Sequence, residues 1–221
     1  MSVAAFFDID GTITKTTILD PLIWYRRAHD SKPRFALFAL GLLLRVPYYL
    51  VLDRRSRALC NVVFFGNYAG LDSEALCEWH ARTFAENLKR TIFHAALDCI
   101  RDHQRQGHRI VLVTGGLDFV MGPLADFLQA DQLVATPLVV RDGVFTGALD
   151  APPIADARKA EIVRFLMGTH GIDPASSFAY GNSLGDAPML ECVGHPVAVN
   201  ADSRLRRLAE ARGWPQVRWQ T

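Results

Sequence analysis

The chain has 221 residues, half of them hydrophobic, and its 24 Lys and Arg against 23 Asp and Glu leave a formal net charge of +1. That length permits a sizeable buried core, either as one large domain or as a core carrying a smaller module. The near-neutral balance argues against a general nucleic-acid binder. Cys60, Cys77, Cys99 and Cys192, far apart and without a Cys-x-x-Cys pair or a nearby His, argue against a zinc finger. Reduced, mostly buried thiols in a cytoplasmic setting fit that pattern. No secretory signal is expected, because no basic stretch precedes the first apolar run and Asp8 interrupts it.

In chain order, Val3 to Phe7 is apolar and stops at Asp8-Ile9-Asp10-Gly11-Thr12. A short apolar run ending in turn residues predicts a buried strand, so both carboxylates emerge at its carboxyl end, where open α/β sheets bind ligands. With Ile9 alternating away, Asp8 and Asp10 share one side of the turn and can divide attack and proton transfer between them. Gly11 lets a backbone or ligand approach closely. An Asp-rich turn or a helix N-cap is the plain structural alternative for an isolated Asp-x-Asp.

Beyond Thr12 the pattern is helical. Ile18, Leu19, Leu22, Ile23 and Tyr25 form an irregular stripe ending near Ser31-Lys32-Pro33, Phe35 to Phe65 predicts two helices broken near Pro47, and Asp72-Ser73 caps a helix over Glu74 to Leu88. Phe35 to Leu44 is apolar throughout but too short to span a bilayer; a buried helix is expected, with a helix lying on a membrane surface as the alternative. Between Pro21 and Leu71, Arg26, Arg27, Lys32, Arg34, Arg45, Arg54, Arg55 and Arg57 face only Asp30 and Asp53. Most should be solvated surface charges, with one or two left to select an anionic substrate or lipid.

A helix over Ile92 to Gln106, closed by Gly107, leads to a strand over Arg109 to Val113. Strands and helices then alternate: helix Leu117 to Leu128, strand Leu133 to Val140, a turn at Asp142-Gly143 into Val144 to Leu149, and helix Ala157 to Met167. A strand over Ser177 to Tyr180, a loop over Gly181 to Gly185, a helix near Pro188 to Cys192, a strand over Pro196 to Val199, a helix over Asp202 to Arg212 and a tail strand around Gln216 to Trp219 complete the chain. This order implies a doubly wound, mainly parallel sheet with helices on both faces. The predicted architecture is a discontinuous α/β core, residues 1–15 and 91–221, with an all-helical cap, residues 16–90, inserted.

Three more motifs bear chemistry. Thr114-Gly115-Gly116 ends a strand and offers a hydroxyl followed by backbone N–H groups able to curl round an anion, although a plain strand-to-helix turn has the same composition. Lys159 opens a helix, where a cation is mildly unfavourable for the dipole, which suggests another use; a solvated Lys beside Arg158 is the alternative. Tyr180-Gly181-Asn182-Ser183-Leu184-Gly185-Asp186 leaves a further strand. The seven His residues form no metal constellation: His195 is assigned to a local turn, and His80 and His94 lie in or near the cap within reach of a substrate.

In order and spacing these motifs resemble the haloacid dehalogenase superfamily of phosphatases and phosphotransferases, and a helical cap between the first and second motifs resembles the branch that includes phosphoserine phosphatase. The resemblance implies a Rossmann-like core, Mg²⁺, and hydrolysis of a small phosphomonoester through an aspartyl-phosphate. It implies Asp8 as nucleophile, Asp10 as acid and base, and Lys159 neutralising phosphate and nucleophile together. Gly11, Thr12, Thr114 and Gly115 would bind the phosphate, and Asp8, the Asp10 carbonyl and Asn182 or Asp186 would hold the metal. The family pattern has Asp where this chain has Asn182, whose amide oxygen coordinates a hard cation without adding charge. No nucleic-acid partner is implied. A lipid-phosphate phosphatase at a membrane surface and a non-catalytic phosphate-binding protein are the competing readings.

Overall fold

The computed structural model describes residues 2–220. In chain order its elements are β1 (Ala4–Phe7), α1 (Asp20–His29), α2 (Lys32–Arg55), α3 (Arg57–Phe65), α4 (Ser73–Arg82), α5 (His94–Arg105), β2 (Arg109–Leu117), α6 (Asp118–Phe127), β3 (Gln132–Thr136), β4 (Leu138–Arg141), β5 (Val144–Leu149), α7 (Ala157–His170), β6 (Phe178–Gly181), α8 (Ala187–Leu190), β7 (His195–Val199), α9 (Ser203–Arg212) and β8 (Gln216–Val217). Six of the strands form a parallel sheet in the order β3-β2-β1-β6-β7-β8. Alternate side chains of β1 and β2 enter opposite cores: Ala5, Phe7, Ile110 and Leu112 on one side, Ala4, Phe6, Val111 and Val113 on the other. A sheet covered on both faces explains why these strands read as unbroken apolar runs rather than alternating ones. From β1 the chain order runs outward to β2 and β3 on one side and to β6, β7 and β8 on the other. The switch in direction lies between β1 and β6, and the Asp8 turn emerges there.

The helical stretch leaves and rejoins the core through a narrow neck, where Lys15 N–H donates to Thr91 O at 3.0 Å and Phe93 N–H to Ile13 O at 2.9 Å. Its packing is continuous with the core, since Leu22, Phe64, Phe65, Tyr68 and Leu76 share one apolar cluster with Phe7, Leu112 and Met121. A hairpin clamps it further: Ser73 N–H donates to Gly143 O at 2.9 Å, Phe145 N–H to Leu71 O at 2.9 Å, and Gly70 N–H to Phe145 O at 2.8 Å.

Four expectations are corrected. Pro47 does not divide a helix: α2 runs unbroken for 24 residues through it. Proline removes a donor and crowds the preceding turn, but Pro47 is exposed to solvent, and α2 is held through its other face. The break comes at Ser56, whose extended backbone ends α2 and whose Oγ accepts from Leu59 N–H to start α3. Second, α2 is not buried. Leu52 is its one fully buried residue, whereas Leu37 and Leu44 are each 73% exposed. Third, the strand expected over Leu133 to Val140 is two strands separated by Pro137, which has no N–H for a ladder. β3 stays in the main sheet, and β4 leaves it to pair antiparallel with β5 through Asp142 and Gly143, both at positive φ as a tight two-residue hairpin requires. Fourth, His195 is not in a turn but opens β7 and stacks on Phe178.

Candidate active site

Past β1 the chain closes tightly on itself: Ile9 O accepts from the N–H groups of Thr12, Ile13 and Thr14, and Gly11 N–H donates to Thr14 O at 2.7 Å. Gly11 sits at φ +82°, and a Cβ there would overlap the Asn182 amide. Only glycine allows the Asp8 turn and the loop after β6 to approach this closely.

Across the cleft, Asp156 precedes α7 as its N-cap, held at φ 50°, ψ −131°. Such a conformation in a non-glycine residue costs on the order of 1–3 kcal/mol and persists where surrounding structure enforces it. It sets the first turn so that Lys159 points into the protein. The buried Lys159 Nζ donates to Asp8 Oδ1 and to Asp186 Oδ1, each at 2.6 Å. The second oxygen of Asp8 accepts from Thr12 Oγ1 at 3.0 Å. The second oxygen of Asp186 accepts from Asn182 N–H, Ser183 N–H and the Ser183 hydroxyl, at 3.1, 2.9 and 2.9 Å. Asp10 accepts from Thr16 Oγ1 at 2.7 Å.

Three buried carboxylates, Asp8, Asp10 and Asp186, therefore surround one buried ammonium. Burial pushes the Asp8 carboxyl up to about 7, against the pull of Lys159 and with added repulsion from Asp186 and Asp10. Burial also raises Asp10, opposed by the Thr16 hydrogen bond and the Arg57 charge. At Asp186 burial is outweighed by Lys159 and the Ser183 donors, and the carboxyl is held below its ordinary value. Burial disfavours the Lys159 charge, but Asp186 and Asp8 more than compensate and raise it. With Arg57 on the same wall, three carboxyls face two cations, a formal excess of one negative charge when all are ionised, which suits an added cation.

A cavity of about 20 Å³ opens over this cluster, room for roughly one water-sized occupant. Of the residues singled out in the sequence, Asp8, Asp10, Gly115, Lys159, Asn182 and Asp186 line it together. Gly11, Thr12 and Thr114 do not. Thr12 instead holds Asp8, and the buried Thr114 hydroxyl accepts from Gly116 N–H at 2.9 Å. Arg57, one of the basic residues of the insert from which a partner for an anionic substrate is expected, also lines it, and unforeseen wall residues are Asn61, Ile18, Ile154 and Asp156. Arg57 and Asn61 lie one turn apart on α3, just after the Ser56 cap, so an i,i+4 polar pair behind an N-cap was the available signal. The buried Asn61 Oδ1 has no partner among the described residues. His80, packed against Trp79 and Phe119, and His94 do not line the cavity. No cluster of three or more His, Cys, Asp or Glu with metal-holding geometry occurs among the described residues.

Residues 5–191, most of the chain, match the family described as haloacid dehalogenase-like hydrolase. The chain belongs to that family. This hydrolase is 34% identical, over 96% of its length and 76% of the relative's, to a Streptomyces azureus protein called inhibition of morphological differentiation protein. It is 33% identical, over 96% of its length and 74% of the relative's, to a Mycobacterium tuberculosis protein called a probable phosphatase. Its fold is that of the phosphoserine phosphatases: a substrate-bound structure of one superposes with a TM-score of 0.72 at 18% identity, covering 94% of this hydrolase and 90% of that chain.

Proposed function

We propose that this hydrolase is a Mg²⁺-dependent phosphomonoester phosphatase working through an aspartyl-phosphate on Asp8. The observation that carries the reading is the buried Lys159 ammonium held between Asp8 and Asp186 at the mouth of the β1 turn. A carboxylate fixed at both oxygens, by Lys159 and Thr12, is oriented for in-line attack on phosphorus. As the P–O bond to the leaving group breaks, Asp10, whose burial favours its protonated form, gives a proton to the departing alkoxide. The Asp10 carboxylate then takes a proton from the water that attacks the acyl-phosphate, regenerating Asp8 and releasing inorganic phosphate. Lys159 and the backbone at Gly115 would stabilise the non-bridging oxygens.

The net negative charge of the cluster supports a cation here. Mg²⁺ bound by the Asp8 side chain, the Asp10 carbonyl and Asn182 would offset repulsion between the phosphate and the carboxylates. Asp186 is held by four hydrogen bonds, two of them from the backbone N–H groups of Asn182 and Ser183, which suits a positioning role beside Asn182 as the direct ligand. The helical insert, residues 16–90, serves as the cap over the core formed by residues 1–15 and 91–221. The cap walls the site through Ile18, Arg57 and Asn61, so its outward movement would widen the way in for substrate.

Asp8→Asn and Asp10→Asn test the assignment. Asp8→Asn should lose phosphate release altogether. Asp10→Asn should still form the protein-bound phosphate from an ester whose leaving group needs no proton, but release it slowly, because the water then lacks its base. Full turnover by Asp8→Asn, with deamidation excluded by mass, would overturn it.

A further inference from the structure

The site cavity adjoins a second one of about 250 Å³ between α2 and α3, and Ile18, Arg57 and Asn61 line both. Its other walls are chiefly apolar: Leu42, Val46, Tyr49, Leu50 and Phe64. A phosphorylated amino acid would need charged partners for its carboxylate and ammonium just beyond the phosphate. Here the one acid in the wall, Asp53, is already paired with Arg57; Thr17 and Cys60 add polar side chains, and the rest of the lining beyond Arg57 is chiefly hydrocarbon.

The helix that walls this space has a second face. Leu37, Leu40, Leu44, Tyr48 and Val51 recur at helical spacing along α2, and all are exposed, with Leu43 beside them. The helix is about 36 Å long, and by length and composition it could cross a bilayer. Its inner residues Phe38, Leu42 and Tyr49, however, pack on the protein core. That leaves one face free and suits a helix lying in the plane of a membrane surface. Lys32 and Arg34 stand at one end and Arg54 and Arg55 at the other, all exposed. The acids nearby are engaged: Asp30 pairs with Arg26 and Asp53 with Arg57. Two copies of α2 pairing face to face would set these cationic ends against each other, antiparallel or parallel. Anionic headgroups would meet them with opposite charge.

We propose that the outer face of α2 docks on an anionic lipid bilayer and that the adjoining channel takes the apolar part of a phosphomonoester of a lipid alcohol, with Arg57 at the junction facing the phosphate. The substrate class rests on the phosphatase reading; the docking face does not.

The test uses the full chain with Mg²⁺, vesicles of phosphatidylcholine with or without phosphatidylglycerol, and two esters: p-nitrophenyl phosphate in solution and phosphatidate in the vesicles. The protein should sediment with the anionic vesicles, release with rising salt, and hydrolyse phosphatidate with a kcat/KM well above that for p-nitrophenyl phosphate. The surface pair Leu37→Asp/Leu44→Asp should lower vesicle binding and phosphatidate turnover by roughly tenfold or more, given the transfer free energy of two leucines, with p-nitrophenyl phosphate turnover unchanged. Circular dichroism checks that the pair variant folds. Protein that stays in the supernatant and shows no preference for phosphatidate would overturn the proposal, as would a dimer that the same pair dissociates in the absence of vesicles. Failure on both esters would overturn the phosphatase reading and the substrate class with it, while sedimentation still decides the docking face.

Discussion

Lys159 is the residue on which the site's electrostatics turn. Removing it leaves Asp8 and Asp186 buried beside each other without a cation, and losing one partner of a buried pair typically costs about 3–5 kcal/mol. Lys159→Met should therefore lower unfolding free energy by roughly that amount in urea titrations with chelator present, and Mg²⁺ should restore part of it. Asn182 is the second critical residue. If its amide oxygen is a direct ligand, Asn182→Asp adds a charge without changing size and should lower the Mg²⁺ concentration giving half-maximal rate. An unchanged titration would move the ligand elsewhere. Asp8 and Asp10 were legible because one contiguous string places both at a strand end, and Lys159 because a cation is out of place at a helix start. Arg57 and Asn61 come from the insert, 49 and 53 positions after Asp8, and only the packing of α3 brings them to the same cavity. A single sequence carries no record of that packing.

At the scale of elements, the strands of the parallel sheet read clearly because burial on both faces makes them unbroken apolar runs between turn residues. The weight given to proline errs in opposite directions, since Pro47 reads as a break and Pro137 is passed over. Pro47 sits within a continuous α2, whereas Pro137 splits what read as one strand. The difference is what surrounds each residue. An outward-facing ring is tolerated in a helix held by its other face, but a missing donor in a ladder ends the pairing. Pro47→Ala should accordingly return an N–H to the Leu43 carbonyl and raise stability by about 1–3 kcal/mol. A variant that is less stable would mean that Pro47 relieves strain in α2. On α4, the buried His80 is pushed down to about 4 by burial alone. A His whose folded value lies below its unfolded one stabilises the fold above about 6.5 and loses that contribution as pH falls from about 6.5 toward 4. For a shift of this size the effect is on the order of 3 kcal/mol. Unfolding free energy measured against pH should fall through that window, and His80→Leu should flatten the fall. An equally steep limb in the variant would assign it to other groups.

For the whole molecule, the apolar cluster shared by the insert and the sheet has a consequence for cooperativity. Phe64, Phe65, Tyr68 and Leu76 pack with Phe7 and Leu112, and the hairpin adds backbone hydrogen bonds to the insert. Joining residue 15 to residue 91 with a Gly/Ser linker should therefore give a chain without a cooperative thermal transition by circular dichroism. A sharp transition would show that the core folds without its cap. The sequence conveyed the alternation of strands and helices, but not this shared cluster, nor the exposed ridge of α2. An apolar run looks the same whether protein or another surface covers it. In the proposed reaction the phosphoryl group passes through Asp8, and that transfer is open to direct chemical trapping. It is tested most directly by quenching the enzyme in acid during turnover of a phosphomonoester and mapping the protein-bound phosphate by mass spectrometry. A hydroxylamine-labile phosphoryl group is expected on Asp8 and absent from Asp8→Asn; steady turnover with no adduct at Asp8, or with the adduct on another residue, would rule out Asp8 as the nucleophile.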